Sequence, residues 1–173
     1  MASRIHMSNL AEEVRIWNTP IVGSYVLWRF TRGYTDHHPE GRPPILLLHF
    51  LASAILTNKR LSDPVTNIRK DLASYARSFI DKKDIDLLLS IQDRVNKTRS
   101  YTLSSIDLAI QHGLLFLNSE DACLYPKILS GKPSRGMTPK QSVKSLGNKA
   151  ETLGKWFSAH SVSQVATLLK VVL

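Results

Sequence analysis

Residues 97–126, which read KTRSYTLSSIDLAIQHGLLFLNSEDACLYP, decide the fold of this chain. Leu103, Ile106 and Ile110 recur at helical spacing, which predicts an amphipathic helix with these three side chains facing inward. Gly113 follows the last of them, at the position where helices commonly end in a left-handed residue. The stretch therefore begins with a helix that has a defined end.

Two short apolar runs, 114–117 and 122–125, follow the glycine and flank a polar spacer, a pattern typical of a β-hairpin. Three helices followed by a hairpin are the order of a winged-helix unit. The predicted fold class is mainly α with a small β-hairpin, in which N- and C-terminal helices flank the winged-helix unit. The predicted helices of the unit span 63–80, 81–96 and 100–112.

All 173 residues are expected to form a single domain, since 43% of them are apolar, enough to build a core. Within it we distinguish N-terminal helices over 8–62, the winged-helix unit over 63–128, and a basic linker with C-terminal helices over 129–173.

The N-terminal segment is predicted to hold two helices. Asn18-Thr19-Pro20 is a helix start, and the helix is expected to end at Gly33. The apolar run 46–56 predicts a second helix, buried on most sides. Asp63-Pro64 has the same cap-and-proline form and predicts the first helix of the winged-helix unit.

The C-terminal segment contains two pairs with the spacing of a capping box, in which a polar residue is followed three positions later by Glu or Gln. Asn148 with Glu151 predicts one helix start. Ser161 with Gln164 predicts another.

The composition limits the partners and the compartment. The net charge of +9 favours an anionic partner, either nucleic acid or an acidic protein face. A single cysteine, Cys123, excludes an internal disulfide and fits a reducing compartment. The longest apolar run, 45–56, is far shorter than the roughly 20 residues of a membrane-spanning helix. We expect a cytoplasmic protein with no membrane association.

No pattern in the sequence specifies a catalytic site. Cys123 has no histidine near it in sequence, which favours a buried thiol over a nucleophile. His49 lies in an apolar helix and is expected in the core. His37 and His38 near Glu40 raise the possibility of a metal, but no further ligands follow at set spacings, which favours a solvated loop. We expect no enzyme activity, no cofactor and no metal.

The helix predicted over 100–112 is poorly suited to reading DNA sequence. Its polar side offers serines, Asp107 and Gln111, with no central arginine to contact base edges. Non-specific contact with the phosphate backbone is favoured instead, because cations accumulate after the hairpin. The alternative is a solvated face, and the residues leave both open. The candidates for nucleic-acid contact are Lys127, Lys132, Arg135, Lys140, Lys144 and Lys149.

From residue 18 to about residue 169, the chain resembles the small middle component of bacterial three-component ABC-ATPase (ABC-3C) defence systems, of which Lamassu is the best known. The spacing of several blocks carries the resemblance. These blocks are Asn18-Thr19-Pro20, Phe30, Gly33-Tyr34, the run 46–56 closing at Arg60, Thr98-Arg99, Leu108-Ala109, 112–115, Lys149-Ala150 and 153–157.

The resemblance implies a non-catalytic adaptor that links an SMC- or Rad50-like ABC ATPase subunit to an effector subunit, often a nuclease, in anti-phage or anti-plasmid defence. Broad apolar faces at 22–30 and 156–173 agree with such a role. The alternative is a stand-alone winged-helix DNA-binding regulator. The candidates for the partner interface are Trp17, Trp28, Trp156, Phe157, Leu168 and Leu169.

Overall fold

The computed structural model describes residues 19–66, 70–129 and 139–172. Helices and one two-stranded antiparallel sheet make up its regular structure, which confirms the predicted fold class. The winged-helix arrangement of these elements stays a prediction. In chain order they are α1 (Pro20–His37), α2 (Leu46–Leu56), α3 (Lys59–Ser62), α4 (Leu72–Asp81), α5 (Ile85–Lys97), α6 (Arg99–Gln111), β1 (Leu115–Asn118), β2 (Cys123–Pro126), α7 (Gln141–Ser158) and α8 (Val162–Leu169).

Helix α1 packs along α7, and the two run in the same direction. A Cβ on Gly147 would lie 2.7 Å from a ring carbon of Tyr25, near the start of both helices. A Cβ on Gly154 would lie 2.2 Å from the carbonyl oxygen of Phe30, further along both. At Gly154 the two backbones approach so closely that only glycine fits, whereas at Gly147 the atom in the way belongs to the Tyr25 side chain.

Helix α6 packs against another side of α1, also in parallel. A Cβ on Gly23 would lie 2.1 Å from Ser105 Oγ, and further along Leu27 and Ala109 share an apolar cluster. The buried side of α6 therefore consists mostly of small residues, among them Thr102. As a result, α1, α6 and α7 all begin at the same end of the molecule.

One large core draws residues from all three predicted segments of the chain. The rings of Phe30 and Phe157 pack edge to face with their centroids 5.5 Å apart, and the ring centroids of Tyr75 and Trp156 lie 5.7 Å apart. A smaller cluster lies between α1, α6 and the hairpin. The three predicted segments thus share one core.

The hairpin forms where the apolar runs predicted it. β1 pairs with β2 so that Phe116 lies opposite Tyr125. Gly113 has φ = 68°, confirming the predicted left-handed end of the preceding helix. Ile45 extends the sheet by an isolated bridge to Cys123 on the outer edge of β2.

The predicted end of α1 at Gly33 is wrong. The helix continues to His37, and Gly33 lies inside it, where a Cβ would come 2.2 Å from the carbonyl oxygen of Glu151. This glycine allows a close helix contact and does not end the helix.

The predicted helix start at Asp63-Pro64 is also wrong. Asp63 caps the end of the short helix α3, and residues 63–66 form turns. Asp71 provides the start of α4 instead, since its side chain accepts a hydrogen bond from the backbone N–H of Ser74 at 2.7 Å. Helix α4 ends at Asp81, which shifts the start of the next helix from 81 to Ile85.

Of the two predicted capping boxes, only the second exists. Ser161 and Gln164 bond each other's backbone N–H groups at the start of α8, as expected. Asn148 and Glu151 lie inside the continuous helix α7, so the helix start predicted there is wrong. Both side chains bond to Arg29 of α1.

Candidate interaction surfaces

The outward side of α6 carries apolar side chains, contrary to the predicted inward stripe. Leu103 is 46% exposed and Ile110 is 37% exposed, and of the predicted three only Ile106 is buried. The close approach of α1 at Gly23 explains the reversal, because it leaves room only for small side chains on the buried side. Asp107 lies between Leu103 and Ile110 on the outward side and accepts a hydrogen bond from the Gln111 amide at 2.7 Å.

The outer face of the hairpin is aromatic. Phe116 is 54% exposed, and its ring centroid lies 6.5 Å from that of Tyr125 on the opposite strand. The Tyr125 hydroxyl donates to Asp121 at the hairpin tip, which helps to raise the pKa of Tyr125. Two further exposed residues follow the hairpin, Ile128 and Leu129. Sequence reasoning missed this face, because the run 114–117 is apolar throughout and does not show which side of the strand is buried.

The structure divides the predicted nucleic-acid contacts. Lys140 and Lys144 are exposed at the start of α7, one helical turn apart, and Lys127 is exposed after the hairpin. Lys149 lies on another side of α7, where its Nζ contacts Asp63 Oδ1 at 3.0 Å. Lys149 therefore does not continue the face of Lys140 and Lys144. The remaining candidates, Lys132 and Arg135, lie outside the described residues.

Most of the predicted partner-interface side chains are buried within the chain itself. Trp156 is 2% exposed, and both Phe157 and Leu169 are fully buried. Trp28 is 8% exposed, and its indole N–H donates to the carbonyl oxygen of Lys127 at 3.1 Å. These four form the chain's own core, so they offer no free surface to a partner, and we correct that assignment.

Leu168 is the described candidate that reaches the surface, since Trp17 lies outside the described residues. It lines an open groove of about 370 Å³ between α4 and α8, together with Ala73 and Thr167. The Thr167 hydroxyl donates to its own helix, at the carbonyl oxygen of Ser163. The groove is therefore a surface feature whose two hydroxyls, those of Ser163 and Thr167, are already bonded within α8 and its cap.

A polar cluster joins α1 to α7 beside the glycine contacts. The guanidinium of Arg29 donates to Glu151, to Asn148 Oδ1 at 3.0 Å and to the Tyr25 hydroxyl at 2.9 Å. Desolvation lowers the pKa of Arg29, but the bonds to Glu151 and Tyr25 outweigh it and the pKa is raised. The carboxylate of Glu151 thus compensates the positive charge of Arg29 at the interface between α1 and α7.

His49 and Cys123 are buried, as predicted. His49 Nδ1 lies 3.2 Å from the Ile45 carbonyl oxygen, and Nε2 lies 2.8 Å from the Thr31 hydroxyl, which itself donates to the Leu27 carbonyl oxygen. Burial lowers the pKa of His49 to about 4. Burial and the neighbouring Asp121 raise the pKa of the Cys123 thiol, which opposes formation of the reactive thiolate.

The two adjacent histidines support local structure. His37 Nδ1 lies 2.9 Å from the Gly33 carbonyl oxygen, and His38 stacks on Tyr34 while its Nδ1 accepts from the backbone N–H of Glu40. Within residues 19–66, 70–129 and 139–172, no three His, Cys, Asp or Glu side chains converge where they could hold a metal ion. The same ranges contain no helix of the length and apolar character that crossing a bilayer requires.

Comparison with known proteins identifies the family. Searches of curated proteins and of solved structures find no match. A family model described as ABC-three component (ABC-3C) system Middle Component 3 matches residues 7–173, nearly the whole chain. The chain therefore belongs to the Middle Component 3 family of ABC-three component systems.

Proposed function

We propose that this chain is a non-catalytic adaptor subunit that joins an SMC- or Rad50-like ABC ATPase to an effector, which we expect to be a nuclease. The family match over 7–173 carries the proposal, since a middle component belongs to a system with two further components. We place the complex in cytoplasmic defence against phages or plasmids, of the Lamassu type.

The exposed side of α6 and the hairpin support a role in protein contact. Leu103, Ile110 and Phe116 are each more than a third exposed, on neighbouring elements of the chain. Exposed apolar groups grouped on one region mark contact sites for other proteins. We propose that α4, α5, α6 and the hairpin form a winged-helix unit whose third helix, α6, meets a protein partner.

A stand-alone DNA-binding regulator is the second candidate, favoured by the net charge of +9 and by the hairpin. The outward side of α6 gives it less support. Asp107 would repel phosphate there, and the Gln111 amide, which could otherwise read a base edge, is bonded to Asp107.

Co-purification tests the adaptor. The chain is co-expressed with the ATPase and effector of the same system and purified through a tag on the ATPase. We expect all three proteins in one complex. A chain that elutes alone under these conditions, or that binds one DNA sequence selectively without partners, would contradict the adaptor.

Two double variants locate the contact. Leu103→Glu with Ile110→Glu places two carboxylates among the exposed apolar groups and is expected to reduce co-purification at least tenfold. Ser100→Glu with Ser104→Glu adds the same charge to exposed positions of the same helix and is expected to leave it unchanged. Equal effects of the two variants would remove α6 from the interface.

A further inference from the structure

We infer that the end of the molecule where α1, α6 and α7 begin, here called the amino end, contacts the phosphate backbone of double-stranded nucleic acid. The inference rests on the proposed function, because it names the surface through which such a complex would touch DNA. It replaces the predicted stripe of cations after the hairpin with a surface built from several helices.

The first turns of the three helices are neighbours. Gly23 of α1, Tyr101 of α6 and Leu146 of α7 line one small cavity, and the end of α2 reaches it through Thr57. Helices packed in this way lie about 8–10 Å apart. Residues at the starts of α6 and α7 therefore flank the start of α1.

Four exposed cations lie at this end. Lys97 and Arg99 flank the junction of α5 and α6, and Lys140 and Lys144 occupy the start of α7. Lys97 and Arg99 are not among the candidates predicted from the sequence, since they lie about forty residues before the others and only the fold brings them together. Among the described residues, the one carboxylate paired with any of the four is Asp93, 3.6 Å from Lys97 in a highly exposed pair.

The opposite end of α1 has a different charge pattern. There the cations are paired, Arg32 with Asp36 at 3.7 Å and Arg42 with Glu40 at 2.6 Å. The hairpin tip, with Glu120 and Asp121, lies at that end, because the carbonyl oxygen of Ala122 accepts from the first residue of α2. Of the two ends of α1, the amino end is therefore the one with unpaired positive charge among the described residues.

This distribution favours a nucleic-acid duplex over an acidic protein face. A duplex presents one negative charge about every 1.7 Å along its axis, so it can match cations spread over helices that lie about 8–10 Å apart. Contacts of this kind, from Lys and Arg to phosphate, position a protein without reading sequence. That agrees with the outward side of α6, where the Gln111 amide is bonded to Asp107.

Fluorescence anisotropy tests the inference. The full-length chain is titrated into a labelled duplex of arbitrary sequence, about 30 bp long, at salt concentrations of roughly 50–200 mM. The amino-end variant changes Lys97, Arg99, Lys140 and Lys144 to Gln. We expect its affinity to fall roughly tenfold or more, and the salt slope to fall by up to about 0.9 for each phosphate that the variant no longer neutralises. The control variant makes the same change at four exposed cations of other elements, Arg42, Arg77, Lys82 and Lys170. We expect its affinity to fall by no more than about threefold.

Equal losses of affinity in the two variants would overturn the inference, as would a wild-type chain that binds no duplex either alone or in the assembled complex. Tighter binding of polyglutamate than of DNA would assign the surface to an acidic protein and also overturn it. A narrower variant that changes only Lys140 and Lys144 to Gln, on α7 and outside the proposed partner contact, is expected to co-purify with the ATPase and effector as the wild type does. A wild-type chain that binds duplex through this end but fails to co-purify would support the inference and contradict the proposed adaptor.

Discussion

The two helices that flank α1 use their apolar residues in opposite ways. Helix α7 touches α1 through glycines and buries Trp156 and Phe157 in the core. Helix α6 touches α1 through small residues and leaves Leu103 and Ile110 outside. Apolar periodicity predicts that a helix has two faces, but the distance to its neighbour decides which face can be inside.

Truncating Phe157 should show the largest effect. Its side chain is fully buried against Phe30, so Phe157→Ala should lower the free energy of unfolding by about 3–5 kcal/mol, as measured by urea denaturation. The matched control is Phe116→Ala in the hairpin, where the same side chain is 54% exposed and a cost of at most about 1 kcal/mol is expected. Similar costs for the two variants would show that the α7 aromatics are not in the core.

Adding a methyl group at Gly33 should have the next largest effect. The new Cβ would lie 2.2 Å from the carbonyl oxygen of Glu151, so α1 and α7 must separate, at a cost of about 3 kcal/mol. Gly41→Ala, at φ = 64° with open space around it, should cost only the left-handed strain of about 1–2 kcal/mol. Stabilisation by Gly33→Ala, as helix propensity alone would give, would refute the close contact.

Acid should weaken the core through His49. Its pKa in the folded state is about 4, below the usual 6.5, so the folded state resists protonation that the unfolded state accepts. The stability that depends on neutral His49 is complete above pH 6.5 and is lost as the pH falls towards 4. Between pH 7 and pH 5 the loss should be about 2 kcal/mol.

Urea denaturation at pH 7 and pH 5 measures this loss. His49→Gln should be less stable than the wild type at pH 7, and the difference should shrink at pH 5 because the variant has no such proton to bind. His112→Gln, which changes an exposed histidine, should keep the wild-type dependence. An unchanged difference between His49→Gln and the wild type at the two pH values would contradict a neutral buried His49.

Sequence reasoning succeeded where a signal acts within a few residues. Gly113 adopts the left-handed conformation expected of it, and Ser161 with Gln164 forms the expected capping box. The hairpin and the buried helix α2 follow from short apolar runs whose outcome does not depend on distant partners.

Sequence reasoning failed where the structural role of a residue depends on a contact with a residue far along the chain. Glycine is the residue type that commonly ends a helix, yet Gly33 packs against Glu151, more than a hundred residues later. Asn148 and Glu151 have capping-box spacing, yet they bond Arg29 across the helix interface. Spacing within a helix cannot distinguish these roles.

The candidate surfaces show the same division. Exposure of Lys140 and Lys144 was predictable from a charged helix start, but their proximity to the junction of α5 and α6 depends on the packing of α6 and α7 around α1. The core positions of Trp156 and Phe157 were not predictable for the same reason, because an aromatic pair on a helix can face a partner or the chain's own interior.

Hydrogen–deuterium exchange of the full-length chain, alone and bound to its ATPase, tests most directly which region meets a partner. If α6 and the hairpin form the contact, amides over 99–118 should exchange more slowly in the complex. The exchange rates of the amides in the last turn of α7, around Trp156 and Phe157, should be unchanged. Slower exchange confined to the C-terminal part of α7 and to α8, with 99–118 unaffected, would contradict the account.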